Sequence, residues 1–83
     1  MENELSREIN LRIHRMAQTM NDPGIQYVCE CGAFNCDAWL SPTYDEFAQV
    51  AADRGSFLVA VGHERTEMKV VRRGRDFYVA RFV

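Results

Sequence analysis

The stretch "VCECGAFNCDAWL", residues 28–40, contains all three cysteines of the chain, at positions 29, 31 and 36. No other feature restricts the fold as much. Three thiols cannot all pair within one chain, and Cys29 and Cys31 flank a single residue. In extended backbone their Cα atoms stand roughly 6.5–7 Å apart, at the edge of what a disulfide spans. Crowded thiolates are ready ligands for zinc, and structural zinc takes four ligands in a tetrahedron. Residues i and i+2 of a strand face the same side, so Cys29 and Cys31 can converge. A loop through Gly32 and Asn35, both tolerant of positive φ, can bring Cys36 back to them. Two other readings are reduced thiols filling the core as small hydrophobes and thiols serving redox or catalytic chemistry. Polar Glu30, Asn35 and Asp37 beside the cysteines argue against core filling.

Three sulfurs leave one position to fill. The candidates are His63, His14, Asp37 and a water molecule. His63 is preferred: it follows the apolar run in "VAVGHE", Gly62 gives the backbone freedom there, and neutral imidazole is a standard zinc ligand. His14 lies between Arg12 and Arg15 on a helical pattern and reads as a partly exposed helix residue. Three thiolates and one histidine make a closed site, which stabilises a fold and does not catalyse. Such a staple suits 83 residues, because a chain this short buries only about 60–65% of its unfolded surface.

The 47% hydrophobic content is too high for a disordered chain. No apolar run approaches the roughly 18–20 residues of a membrane span, and the N-terminus "MENELSREINLRIHRM" lacks the apolar centre of a secretory signal. A reducing cytoplasmic setting is expected, with thiols free for metal. The charge is divided: residues 1–53 hold nine acidic and three basic side chains, whereas residues 54–83 hold three acidic and seven basic. Opposed faces of this kind suit a protein partner or a second copy of the chain.

The spacing predicts a helix over about residues 4–20, with Leu5, Ile9, Met16, Met20 and neighbouring Ile13 as its apolar stripe. Asn3 is its expected N-cap, Glu8 and Arg12 an i,i+4 pair, and "NDPG" at 21–24 its stop. "IQYVC" and "AWL" read as a hairpin with the cysteines at its tip and Trp39 packed into or along the core. Thr43 and Glu46 match a capping box, opening a helix with Tyr44, Phe47, Val50 and Ala51 on its apolar face. "RG" at 54–55 is read as its stop. "SFLVAV", "MKVVRR" and "DFYVARFV" read as strands, the last two joined at Gly74. The expectation is one α+β domain over residues 1–83, a helix within 1–21 and a Cys-turn and sheet core over 25–83. Its order is α-β-β-α-β-β-β, with a mainly antiparallel sheet of about five strands.

The segments "YVCECGAFNCDAWLSPTYDEF", "FLVAVGHE" and "VVRRGRDFYV" together resemble a group of small bacterial proteins. In that group an N-terminal helix precedes a C-E-C-x4-C segment, a strand ending in G-H-E and a terminal hairpin. The resemblance covers nearly the whole chain and is most specific in "CECG", "GHE" and "FYV". It implies zinc binding, with Cys29, Cys31, Cys36 and His63 in one site. The chain ends in "ARFV", where a charged terminus is expected of the group.

Three functional readings follow. The leading one is a non-enzymatic, zinc-stapled protein-interaction module of regulatory kind, with the N-terminal helix as a docking or homodimer element. The second is nucleic-acid binding by a basic hairpin built from Arg65, Lys69, Arg72, Arg73, Arg75 and Arg81 beside Phe77 and Tyr78. The chain's acidic balance weighs against it. The third is a thiol redox sensor or a metal-dependent enzyme with Glu64 or Glu30 as general base. No third catalytic partner, oxyanion hole or phosphate loop accompanies it.

Overall fold

A computed structural model describes residues 2–20, 25–33 and 36–83, the side chains of 2, 3 and 20 excepted. The expected turn at 21–24, the Met20 side chain in the apolar stripe and Asn35 in the cysteine loop lie outside the described residues, and the first helix begins at Glu2, so Asn3 lies within its first turn and not at its N-cap. The chain runs α1 (Glu2–Met20), β1 (Tyr27–Val28), β2 (Trp39–Leu40), α2 (Tyr44–Ala52), β3 (Ser56–Ala60), β4 (Met68–Arg73) and β5 (Phe77–Phe82). This is the α+β order expected. The five strands form two antiparallel sheets: a short β1–β2 pair, and a three-stranded sheet in the order β3–β5–β4. No described helix is long and apolar enough to cross a membrane.

The C-terminal sheet is conventional. β5 sits between its neighbours, with Leu58 opposite Val79 on one side and Val70 opposite Ala80 on the other. A bulge between Val70 and Arg72 shifts the register of β4. Gly74 closes the β4–β5 turn through its N–H to the Phe77 carbonyl, 2.8 Å. A Cβ there would lie 2.2 Å from the Phe77 ring, so the turn takes glycine. The core joins Leu58, Val59, Phe77, Val79 and Ala80 of this sheet to Phe47 and Val50 of α2 and to Tyr27 and Leu40 of the hairpin.

Helix α2 starts where the capping box places it. The Glu46 N–H donates to Thr43 Oγ1 at 3.1 Å, and the Thr43 N–H donates to Glu46 Oε1 at 2.7 Å. Its end differs from expectation. Asp53 is the C-cap in extended conformation (φ −110°), and its carboxylate accepts from the Gly55 N–H and the Ser56 hydroxyl. Arg54–Gly55 therefore does not form a left-handed stop. At Gly55 space is what matters, since an added Cβ would stand 2.8 Å from Arg81 Nη2.

Two further expectations are corrected. Trp39 is 56% exposed, because the alternation of β2 points Leu40 inward and turns Trp39 out. Helix α1 buries only one edge of its apolar stripe: Leu5, Ile9 and Met16 are exposed, whereas Ile13 is half-buried and packs, like Leu11, against the core, beside buried Asn10 and Ala17. The centre of the inward face carries Asn10 because its partners are backbone groups and a carboxylate. Asn10 pairs with Val28 as a neighbouring strand would, donating from Nδ2 to the Val28 carbonyl and accepting the Val28 N–H at Oδ1, both at 2.8 Å. Glu8 and Arg12 form no pair along the helix; the ion pairs among the described residues are Arg7–Glu30, Arg65–Glu67 and Arg81–Asp53.

Candidate metal centre

The four expected ligands come from two places, the segment between β1 and β2 and the end of the turn after β3. Cys29 follows β1 and Cys31 lies two residues on, just before Gly32, whose φ is +81°. Cys36 returns the chain toward β2, its N–H bonded to the Ala33 carbonyl at 3.2 Å. His63 closes the turn after β3, its N–H donating to the Ala60 carbonyl at 2.9 Å. Gly62 makes that turn with φ +86°, in the left-handed region.

The ligand atoms of Cys29, Cys31, Cys36 and His63 all lie within 4.8 Å of one another. His63 Nδ1 is 3.7 Å from Cys29 Sγ and 3.4 Å from Cys36 Sγ. A tetrahedral zinc with sulfur at about 2.3 Å and nitrogen at about 2.0–2.1 Å sets S···N edges of about 3.6 Å. The donor set and these two spacings therefore suit a tetrahedral metal ion. Cys29 and Cys31 are buried, Cys36 is half-buried, and all three are free thiols. Two backbone donors face the sulfurs: the Ala60 N–H reaches Cys29 Sγ at 3.2 Å, and the Ala33 N–H reaches Cys31 Sγ at 3.4 Å. Such donors support thiolate charge.

Burial pushes the Cys29 thiol up to about 12, against the lowering influence of the Ala60 and Cys31 backbone N–H groups. Without a cation, Cys29 is a protonated thiol at neutral pH and a poor nucleophile. A metal ion takes the place of that proton.

The other candidate ligands lie elsewhere. His14 Nδ1 is 2.8 Å from the Tyr27 hydroxyl, and its ring stacks on Tyr44 at 3.9 Å. Burial holds the imidazole below its ordinary pKa. Asp37 is exposed and outside the converging group. Glu64 adjoins His63 in sequence; its Oε1 is buried without a hydrogen-bond donor among the described residues.

Glu30 is the residue whose role the sequence pattern did not reveal. It stands between two ligands, is 0% exposed, and has both carboxylate oxygens occupied. Oε1 accepts from the Leu58 N–H at 2.7 Å and Arg7 Nη2 at 3.1 Å. Oε2 accepts from Arg7 Nε at 2.8 Å and Asn10 Nδ2 at 2.9 Å. Arg7 also donates to the Ser56 carbonyl, and the Glu30 N–H donates to the Leu58 carbonyl at 2.7 Å. With four donors on it, the carboxylate is not placed to serve as a general base. It binds α1, the cysteine segment and the outer edge of β3 together. The available signal was an acidic residue between two buried cysteines, with polar residues at 7, 10 and 14 on one helical face.

Three of the basic residues of the C-terminal third are engaged within the chain. Arg65 pairs with Glu67 at 2.9 Å, Arg72 donates to Gln49 Oε1 at 2.7 Å, and Arg81 pairs with Asp53. Arg73 lies over the Tyr78 ring at 5.4 Å, and Lys69 and Arg75 are exposed. Comparison of the chain with protein-family models, curated proteins and solved structures found no match.

Proposed function

We propose that the chain is a small, non-enzymatic protein-interaction module of regulatory kind, folded around one structural Zn²⁺ held by Cys29, Cys31, Cys36 and His63. The observation that carries this reading is the convergence of three sulfurs and His63 Nδ1 within 4.8 Å of one another, with His63 Nδ1 at 3.7 and 3.4 Å from two of the sulfurs. Zinc bound by all four has no open position, so it would staple the fold without presenting a reactive water. The occupied oxygens of Glu30 support the same view. The interaction role draws on the exposed apolar stripe of α1. The hairpin supports nucleic-acid binding less well, because three of its expected contacts, Arg65, Arg72 and Arg81, are engaged within the chain.

The test is elemental analysis of protein purified without added metal, with thiol counting before and after chelation. One zinc per chain, three thiols released on chelation and a weaker but detectable metal in His63→Ala are expected. A folded, metal-free protein with three freely reactive thiols would falsify the reading.

A further inference from the structure

Helix α1 has two faces, and the apolar one is turned away from the fold. Arg7, Asn10, His14 and Ala17 centre the face turned toward the rest of the chain, with half-buried Leu11 and Ile13 packed against the core at its two edges: Asn10 and Ala17 are buried, and Arg7 and His14 are half-buried. At 3.6 residues per turn, Leu5, Ile9 and Met16 fall within an arc of about 40°, centred about 140° from that inward face. They are 63%, 43% and 57% exposed. One flank of the stripe carries Glu4, Glu8, Arg12 and Arg15, all exposed and outside the ion pairs found among the described residues. The other flank carries half-buried Ser6 and Ile13. The charged flank is ordered, acidic in the first half of the helix and basic in the second.

We propose that this stripe is the contact between two copies of the chain, α1 lying antiparallel to α1 about a two-fold axis. The charge order selects both the partner and the direction. In an antiparallel helix pair each flank meets its own copy reversed, and the two-fold makes the contact self-complementary. An axis near residue 10 sets Glu8 level with Arg12 and brings Glu4 within one residue of Arg15. It also brings Leu5 within one residue of Met16 and sets Ile9 beside its counterpart. A parallel pair lays the charged flank against Ser6 and Ile13 and pairs no opposite charges. A surface acidic at one end and basic at the other is its own complement only when reversed. Three apolar side chains per copy make a contact at the small end of specific interfaces, so a dissociation constant on the order of micromolar is expected. The proposal deepens the interaction-module reading by naming its partner. It depends on α1 being docked through Arg7 and Asn10, and the identity of the metal does not enter it.

The experiment is sedimentation equilibrium on the full, metal-loaded chain across a concentration series, with metal content and thermal unfolding as controls. Ile9→Glu should weaken the dimer by more than about 100-fold, since it buries a charge at the two-fold, with metal content and unfolding unchanged. Glu8→Arg alone and Arg12→Glu alone should each weaken it by about tenfold, because each reversal acts twice across the axis. Glu8→Arg combined with Arg12→Glu in one chain should restore it. A zinc-loaded protein that stays monomeric at every concentration overturns the proposal and leaves the metal reading intact. A dimer indifferent to Ile9→Glu, or a combined variant no tighter than the single reversals, also overturns it. A folded but metal-free protein that dimerises with this charge dependence upholds the contact while the zinc reading fails.

Discussion

The two halves of this chain are held by different forces. The β3–β5–β4 sheet is held by backbone ladders and an apolar layer, with Leu58, Val59 and Ala80 fully buried. The α1–β1–β2 half has only a two-residue ladder and is held instead by side chains: Asn10 on Val28, Arg7 and Asn10 on Glu30, and four converging ligand atoms. The sheet is stabilised by water leaving apolar surface. The N-terminal half shares that core through Tyr27 and Leu40, but it depends in addition on polar groups that are worth little unless every partner is present. The first kind of structure loses stability in increments, and the second fails as a unit.

The sharpest way to break the comparison is chelation. Structural zinc contributes on the order of 10 kcal/mol to small zinc-dependent folds. Metal removal should therefore abolish cooperative unfolding and release the slowly exchanging amides of residues 27–29 first, as read by circular dichroism and hydrogen exchange. Retention of those protected amides after complete chelation would place the stabilising force elsewhere. Glu30→Gln comes next. It leaves Arg7 without its carboxylate and should lower stability by about 3–5 kcal/mol in denaturant titration, since one half of a buried ion pair is then uncompensated. Leu58→Ala tests the sheet in its own terms, with an expected loss of about 2–5 kcal/mol from transfer and cavity effects. Similar losses for both, but loosened metal only in Glu30→Gln, would confirm that the two regions are held differently.

Two smaller effects refine the picture. Gly62→Ala puts a side chain at a positive φ in open space, so its expected loss of about 1–2 kcal/mol is conformational. That loss should appear as a weaker hold on the metal through His63. The pH effect is smaller still. Burial lowers the His14 pKa, so below its ordinary value of 6.5 the unfolded chain takes up a proton that the folded chain resists. Stability should fall as pH drops through 6.5 toward the folded value and be indifferent to His14 above that range. His14→Gln should flatten this part of the pH profile. An unchanged profile would show that the stacking on Tyr44 does not shield the ring.

Local chemistry made much of this structure legible. The Thr43–Glu46 box, the hairpin around Gly74, and the four candidate ligands each depend on short-range rules of spacing and turn geometry. The inward face of α1 was not legible, because Leu5, Ile9 and Met16 form a convincing apolar stripe and periodicity alone cannot say which side docks. Asn10 is turned inward because β1 offers an unpaired strand edge that a carboxamide fits. Trp39 was misjudged for a related reason: in a two-residue strand one of Trp39 and Leu40 must face water, and the sequence does not say which.

Glu30 has one more consequence. It is covalently fixed between Cys29 and Cys31 and hydrogen-bonded to α1, so an ion that immobilises those sulfurs also seats the helix. Reciprocity of binding free energies then requires that whatever fastens the helix tightens the ion by the same factor. The affinity of the Cys3His cluster for a metal ion would thus be an adjustable quantity, set in part by what lies against a surface on the far side of the helix from the ligands.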